Sequence, residues 1–446
     1  MSDCWKLLIY LSIAPGAVGA PINGTDGRNK LLLISFDGFR HDYLEKASFS
    51  GVNISGFLRI WESGFRVLRM KSEFVTSTSS NHFSMVTGQH TETHGIVDNS
   101  FFDPILNRTF AFSNGTQAKE AVWFDVGAEP IWVTNQLHGH RTAMTSWTGA
   151  FAPVKQILPS ISYPAFDGTI PLRKSIDDVI GWLETDVNLA LLYHIEPDST
   201  GHRYGPDSTE VMNAIGTLNH EVEYLLDRVR QSPELAHSLN IIITSDHGMA
   251  EVDPTRVIVL DDFLNSTMYS SSRESPAAVW GLWPKASFTS DDIVGRLESR
   301  HPKMNAYRKE DIPKRLFYSR SHRIAPVIVV ADVGWVIVKS TEDGIKFKKG
   351  GKHGYDPASP EMSPFLLATG PGFKPPAPNH TIQSMDLIDI YPMMCHLLGL
   401  ENPGPHNGSL SHVAHVLGNG NKAERIKPFR LGIILFLLIW FITVFA

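Results

Sequence analysis

Hydrophobic positions fall into two patterns along the chain. Short unbroken runs of aliphatic residues, Leu31–Ser35, Leu189–Tyr193, Ile241–Thr244 and Val327–Val330, predict strands buried on both faces. Between them lie stretches of helical period. The clearest covers residues 208–230, where Val211, Ile215, Leu218, Val222 and Leu225 recur at spacings of four and three. Strands alternating with helices predict an α/β layered fold with a mostly parallel central sheet. In such a fold the chemistry gathers beyond the carboxyl ends of the strands. No internal repeat, coiled coil or low-complexity block interrupts the pattern. The proline-rich stretch from Pro371 to Pro378 predicts a loop, and residues 408–430 read as a stalk behind a catalytic domain of residues 21–407.

The two ends of the chain add a compartment. Residues 1–20 carry one lysine, an apolar run from Leu7 to Ala14 and a small-residue finish, the layout of a secretory signal peptide. Asn-x-Ser/Thr sequons at Asn23, Asn53, Asn107, Asn114, Asn265, Asn379 and Asn407 agree with passage through the secretory pathway. Residues 431–446 form an uncharged apolar run behind Lys422, Arg425, Lys427 and Arg430. That run predicts membrane attachment on the extracellular side of the cell surface, through a lipid-anchor signal or a C-terminal spanning segment. Of the two cysteines, Cys4 lies in the signal peptide, which leaves Cys395 as a buried, inert thiol.

The 446 residues are enough for one large domain, and 42% hydrophobic content supplies its core. A net charge of -6 gives no basic surface for a nucleic-acid polymer, and a monomer is expected. The 19 histidines raise the case for metal. Three of the aliphatic runs end in ligand-type residues. Asp37 follows the first, Asp198 and His202 follow the second, and Asp246-His247 follows the third, with His353 as a further candidate. Carboxylate and imidazole together suit zinc. Two such ions about 3.5–4 Å apart can clamp the attacking and leaving oxygens of a phosphoryl centre.

Between the first two ligand groups lies the hydroxyl-rich run Thr76-Ser77-Thr78-Ser79-Ser80, followed by a helix start near Asn81. Such a run reads as a helix N-cap. It also reads as a nucleophile, because a metal-activated hydroxyl at a helix start can attack phosphorus while the helix end favours the phosphate's charge.

The segments SFDGFR, NHFSMVTG with Thr78 ahead of it, HGIVDN, EPDSTGHRYGP, IITSDHGM and GKHGYD resemble, in this order, the nucleotide pyrophosphatase/phosphodiesterase family. The resemblance runs from about Lys30 to about Leu400 and implies an alkaline-phosphatase-like three-layer sandwich. It implies two Zn2+ per chain, one held by Asp37, Thr78, Asp246 and His247 and the other by Asp198, His202 and His353. It also implies that Thr78 forms a phospho-threonine intermediate and that Asn99 binds a phosphate oxygen.

For substrate, the family divides. Its nucleotide-cleaving members place an aromatic residue directly after the nucleophile, where this chain has Ser79. The first-strand region and EPDSTGHRYGP resemble the sphingomyelin-cleaving member, whereas FDPILNRTF, WVTNQL and VVADVGW resemble nucleotide-cleaving ones. The expectation is therefore release of phosphocholine from sphingomyelin or related choline phospholipids. The alternative is cleavage of dinucleotide polyphosphates or nucleoside triphosphates, and a third reading is a cell-surface binding protein on a hydrolase scaffold. A choline headgroup calls for an aromatic cage, with Trp147, Tyr163, Phe166 and Tyr269 as candidates.

Overall fold

The computed structural model describes residues 29–273, 275–375 and 381–418. The signal peptide and the apolar run 431–446 lie outside them. Eight strands form the central sheet: β1 (Lys30–Phe36), β2 (Phe65–Lys71), β3 (Arg141–Met144), β4 (Ile161–Ser162), β5 (Val187–His194), β6 (Leu239–Thr244), β7 (Leu366–Thr369) and β8 (Thr381–Asp386). Their spatial order is β8-β2-β7-β6-β1-β5-β3-β4. All neighbours pair parallel except β7, which runs antiparallel to both β2 and β6.

The first three aliphatic runs become β1, β5 and β6, side by side at the centre of the sheet. Alternate residues of a strand face opposite sides, and β1 serves two cores in this way. Leu31 and Leu33 join one, Leu32 and Ile34 the other. On the first side pack α3 (Thr78–Thr87) and α7 (Ile390–Leu398). On the second pack α1 (Tyr43–Phe49), α2 (Ser55–Ser63), α4 (Leu172–Leu183) and α6 (Thr209–Gln231). The result is the expected three-layer sandwich. Helix α6 lies where its period placed it, capped by Ser208 Oγ, which accepts from the Val211 N–H at 3.3 Å, and all five periodic residues are buried.

The fourth aliphatic run is a strand, but of a different sheet. Residues Val327–Ala331 lie in a four-stranded antiparallel sheet with Tyr269–Ser270, Val279–Pro284 and Met304–Arg308, inserted between β6 and β7. A short apolar run reports burial and cannot say which sheet receives it. The stalk expected from residue 408 is also corrected. Residues 408–418 pack on the body: Val413, Val416 and Leu417 are buried, the Lys374 N–H donates to Val416 O, and the Gly418 N–H donates to Gly372 O. Cys395 is buried on α7, and burial pushes its thiol up to about 12, as an inert core cysteine requires.

The expected membrane partner is corrected as well. Among the described residues no helix is long and apolar enough to cross a membrane. The sequon residues Asn53, Asn107, Asn114, Asn265 and Asn407 are all exposed.

Candidate active site

The register of the three central strands dictates where the ligand candidates meet. Phe36 of β1 pairs with His194 of β5, and Ser35 pairs with Thr244 of β6, so all three strands end at one edge. Asp37 leaves β1 directly, Asp246 and His247 leave β6 after one residue, and Asp198 opens a short helix, α5 (Asp198–Tyr204), that also carries His202. The Asp198 N–H donates to Asp37 O at 3.0 Å. This closeness demands Gly38, which has φ +66° and would place a Cβ 2.8 Å from the Asp198 Cβ. At Gly248 a Cβ would fall 2.1 Å from the Glu361 carbonyl oxygen. His353 arrives separately, at the end of the strand Gly350–Lys352, which pairs antiparallel with Ala250–Val252 just past His247.

The three imidazoles, and the carboxylates of Asp37 and Asp246, are each held by one atom and offer another. The Nδ1 atoms of His202, His247 and His353 contact the carbonyls of Gly351 (2.8 Å), Gly248 (2.9 Å) and Thr76 (2.7 Å). A carbonyl only accepts, so each Nδ1 carries the proton and each Nε2 keeps its lone pair for the site. The carboxylates behave alike. Asp37 Oδ2 accepts from Tyr193 Oη at 2.5 Å, and Asp246 Oδ1 accepts from the Gly38 N–H at 3.1 Å and from Ser245 Oγ at 3.2 Å. Asp37 Oδ1, Asp198 Oδ1 and Asp246 Oδ2 are buried with no hydrogen-bond partner among the described residues.

Those free atoms converge. Asp37, Asp246 and His247 offer ligand atoms within 4.8 Å of one another, and so do Asp198, His247 and His353. His202 Nε2 lies 3.3 Å from Asp198 Oδ2. Burial, then the neighbouring carboxylates, push Asp37 and Asp198 well above the usual carboxylate range. Burial pushes His247 down to about 3 and His202 to about 4, so the imidazoles are neutral. Three carboxylates crowded together with three neutral imidazoles form a donor set that fits divalent metal.

Thr78 is the first residue of α3, with Ser77 at the N-cap, and it faces this cluster, Oγ1 lying 3.5 Å from His247 Nε2. Asn99 is brought alongside: its Oδ1 accepts from the Ser79 N–H at 2.7 Å, and its own N–H donates to Asp98 Oδ1 at 2.7 Å. With Oδ1 so engaged, Nδ2 is the atom free to donate to a ligand. Ser79 itself is fully buried and donates through Oγ to Asp98 O at 2.9 Å, so it braces the Asn99 loop.

Tyr193 is a functional residue that the motifs did not single out. It directly follows the buried part of β5 and orients Asp37 through the 2.5 Å bond. An aromatic with a polar tip, placed where a strand runs into a ligand loop, was the available signal. Tyr193→Phe is expected to lower kcat about 10-fold through a misoriented Asp37. Steady-state kinetics on a variant of unchanged thermal midpoint checks this, and full activity would remove Tyr193 from the site.

Of the four aromatic residues proposed as a cage, the structure brings two together. Trp147 and Phe166 line a cavity of about 260 Å³ with Phe112, Phe151 and Tyr193. Trp147 also packs edge-on against His82, whose ring lies beneath Thr78. Tyr163 instead donates to Asp178 Oδ2 and packs on Trp182, and Tyr269 is buried in the small antiparallel sheet. Position between motifs in the chain does not say on which side of the sheet a ring emerges.

This geometry can be set beside known proteins. Residues 31–356 match the family described as type I phosphodiesterase / nucleotide pyrophosphatase. The chain is 41% identical over 394 residues to bis(5'-adenosyl)-triphosphatase enpp4 of Mus musculus, covering 87% of this chain and 81% of the relative. It is 35% identical over 431 residues to ectonucleotide pyrophosphatase/phosphodiesterase family member 5 of Homo sapiens, covering 96% of this chain and 86% of the relative. The solved structure of murine ectonucleotide pyrophosphatase / phosphodiesterase 5, in an inactive threonine-to-alanine form in complex with AMP, superposes with TM-score 0.80 at 37% identity, covering 87% of this chain and 100% of that one. The chain belongs to this family.

Membership makes the chain a phosphodiesterase with an alkaline-phosphatase-like fold. These relatives are named for nucleotide substrates, which favours the nucleotide alternative over the expectation of phosphocholine release. No special closeness to the sphingomyelin-cleaving member is shown. Ser79, which had weighed against a nucleotide, is turned into the core, while other aromatic residues line the cavity that reaches the site through Tyr193.

Proposed function

We propose that this chain is an extracellular nucleotide pyrophosphatase/phosphodiesterase that cleaves dinucleoside polyphosphates or nucleoside triphosphates through a phospho-Thr78 intermediate. The observation that carries this reading is the convergence of three orphaned carboxylate oxygens and three oriented Nε2 atoms in front of the Thr78 hydroxyl. Asp37, Asp246 and His247 with Thr78 would hold one Zn2+, and Asp198, His202 and His353 a second. Bound there, the two ions would lower the pKa of the Thr78 hydroxyl and balance charge at phosphorus.

The chain's own groups account for the rest. Thr78 Oγ forms a bond to phosphorus as the bridging P–O bond breaks, and the electron pair stays on the departing oxygen. Asn99 Nδ2 and the N-terminus of α3 meet the phosphate's other oxygens. The rigid aromatic cavity lined by Trp147, Phe166 and Tyr193 accommodates the nucleobase. Water then displaces Thr78 from phosphorus and releases a nucleoside monophosphate. Exposed sequons and the relatives' naming as ecto-enzymes support an extracellular setting.

A side-by-side assay tests the reading. Purified protein is given a diadenosine polyphosphate or a choline phospholipid in detergent, with and without chelator. Chelator-sensitive release of AMP is expected. Release of phosphocholine with no nucleotide cleavage would overturn the substrate class, and turnover of neither would overturn the reaction.

A further inference from the structure

Lys352 lies between two ligand candidates along the chain. The Gly351 carbonyl before it accepts from His202 Nδ1, and His353 follows it. Its strand is paired residue for residue with Ala250–Val252, Lys352 opposite Ala250 just past His247. Lys352 is half-buried, and among the described residues no carboxylate lies within ion-pair distance of its ammonium. Its charge nonetheless acts on both Asp198 and His202. Arg273, the other cation that acts on Lys352, is already ion-paired with Asp98. A half-buried cation with no close ion pair among the described residues is costly to keep, and an incoming anion would relieve that cost.

The direction from which such an anion comes follows from the order of the rings. Thr78 Oγ1 is beside His247, whose ring stacks on His353 with centroids 3.6 Å apart. His202 lies one step further, 5.0 Å from His353, and Lys352 acts there. In an in-line displacement the attacking and leaving oxygens take opposite sides of phosphorus. With Thr78 attacking from one end of this row, the leaving group departs towards the other.

We propose that Lys352 binds the phosphate of the leaving group, and so selects substrates whose leaving group is itself a phosphate chain over phosphodiesters with a phosphate-free leaving group. This rests on the nucleotide pyrophosphatase reading and specifies it. When the P–O bond breaks, the electron pair stays on the departing pyrophosphate or nucleotide. The ammonium meets that added negative charge where it develops. A lysine acts here as a point charge, which suits a mobile polyphosphate.

The test compares zinc-loaded wild type, Lys352→Gln and Lys352→Arg in the full chain. The readout is the ratio of kcat/KM for ATP to kcat/KM for the p-nitrophenyl ester of thymidine 5'-monophosphate. In Lys352→Gln this ratio is expected to fall about 10- to 100-fold, the loss of one charge-assisted contact, and Lys352→Arg should restore most of it. An unchanged ratio overturns the proposal. Calorimetric titration with inorganic pyrophosphate gives a reading independent of turnover: binding at least about 10-fold weaker to Lys352→Gln is expected, and equal binding overturns the assignment. If wild type cleaves neither nucleotide substrate, the proposed function fails, while the pyrophosphate titration still decides the role of Lys352.

Discussion

Thr78→Ala is expected to lower kcat on a nucleotide substrate by at least about 10^4-fold, leaving the fold and the bound metal in place. The magnitude follows from what is removed. In the proposed mechanism the attacking oxygen is one that water cannot replace in the same position, so its removal closes the covalent route entirely. The fold should hardly respond, because Thr78 Oγ1 makes only a 3.5 Å contact to His247 among the described residues, and the α3 backbone is held by other bonds. Single-turnover kinetics, metal analysis and a thermal melt on the same preparation check all three expectations. A variant that keeps most of its activity would show that Thr78 is not the nucleophile. The relative whose inactive threonine-to-alanine form is in complex with AMP fits the expected result.

Metal removal is the second large effect. With chelator, activity is expected to vanish and the thermal midpoint at pH 8 to fall by roughly 5–10 °C, with both restored by Zn2+. The cause is the buried carboxylates. Asp37, Asp198 and Asp246 present unpartnered oxygens to one another, and without a cation their charges repel in a desolvated place. The pH dependence has a definite sign. Folded-state values of Asp37 and Asp198 raised above their unfolded ones mean that the metal-free fold is least penalised in acid, and that it loses stability as pH rises from the unfolded value through the raised ones. The metal-bound form runs the other way, since protons compete with metal as pH falls. The chelator-induced drop in midpoint should therefore be larger at pH 8 than at pH 5.5. A drop independent of pH, or no drop, would show that these carboxylates do not hold the ion.

Much of this site could be read from the chain because parallel strands buried on both faces leave unbroken aliphatic runs, and their carboxyl ends mark where ligands emerge. Asp37, Asp198, Asp246 and His247 were legible in that way. His353 was not, since its strand Gly350–Lys352 has no apolar signature and owes its place to pairing with Ala250–Val252. It stood as a further candidate by residue type, and its place in a ligand set came from family resemblance. Tyr193 escaped notice because it reads as one more apolar residue of β5 until its hydroxyl is seen on Asp37. The residue after the nucleophile misled for a related reason. Side-chain direction at Ser79 is set by the Asp98 carbonyl, which no local pattern reveals.

The candidate ligands span most of the chain, from Asp37 just after the first strand to His353 beyond the inserted antiparallel sheet. During synthesis the first strand emerges long before the residues that complete the second half of the set. Asp37, Thr78, Asp246 and His247 all precede that insertion, so under the proposed assignment one ion can be held before it emerges, whereas the second set waits for His353. A fragment truncated before residue 353 is therefore expected to keep the first set and lose the second, together with the strands Leu366–Thr369 and Thr381–Asp386 of the central sheet.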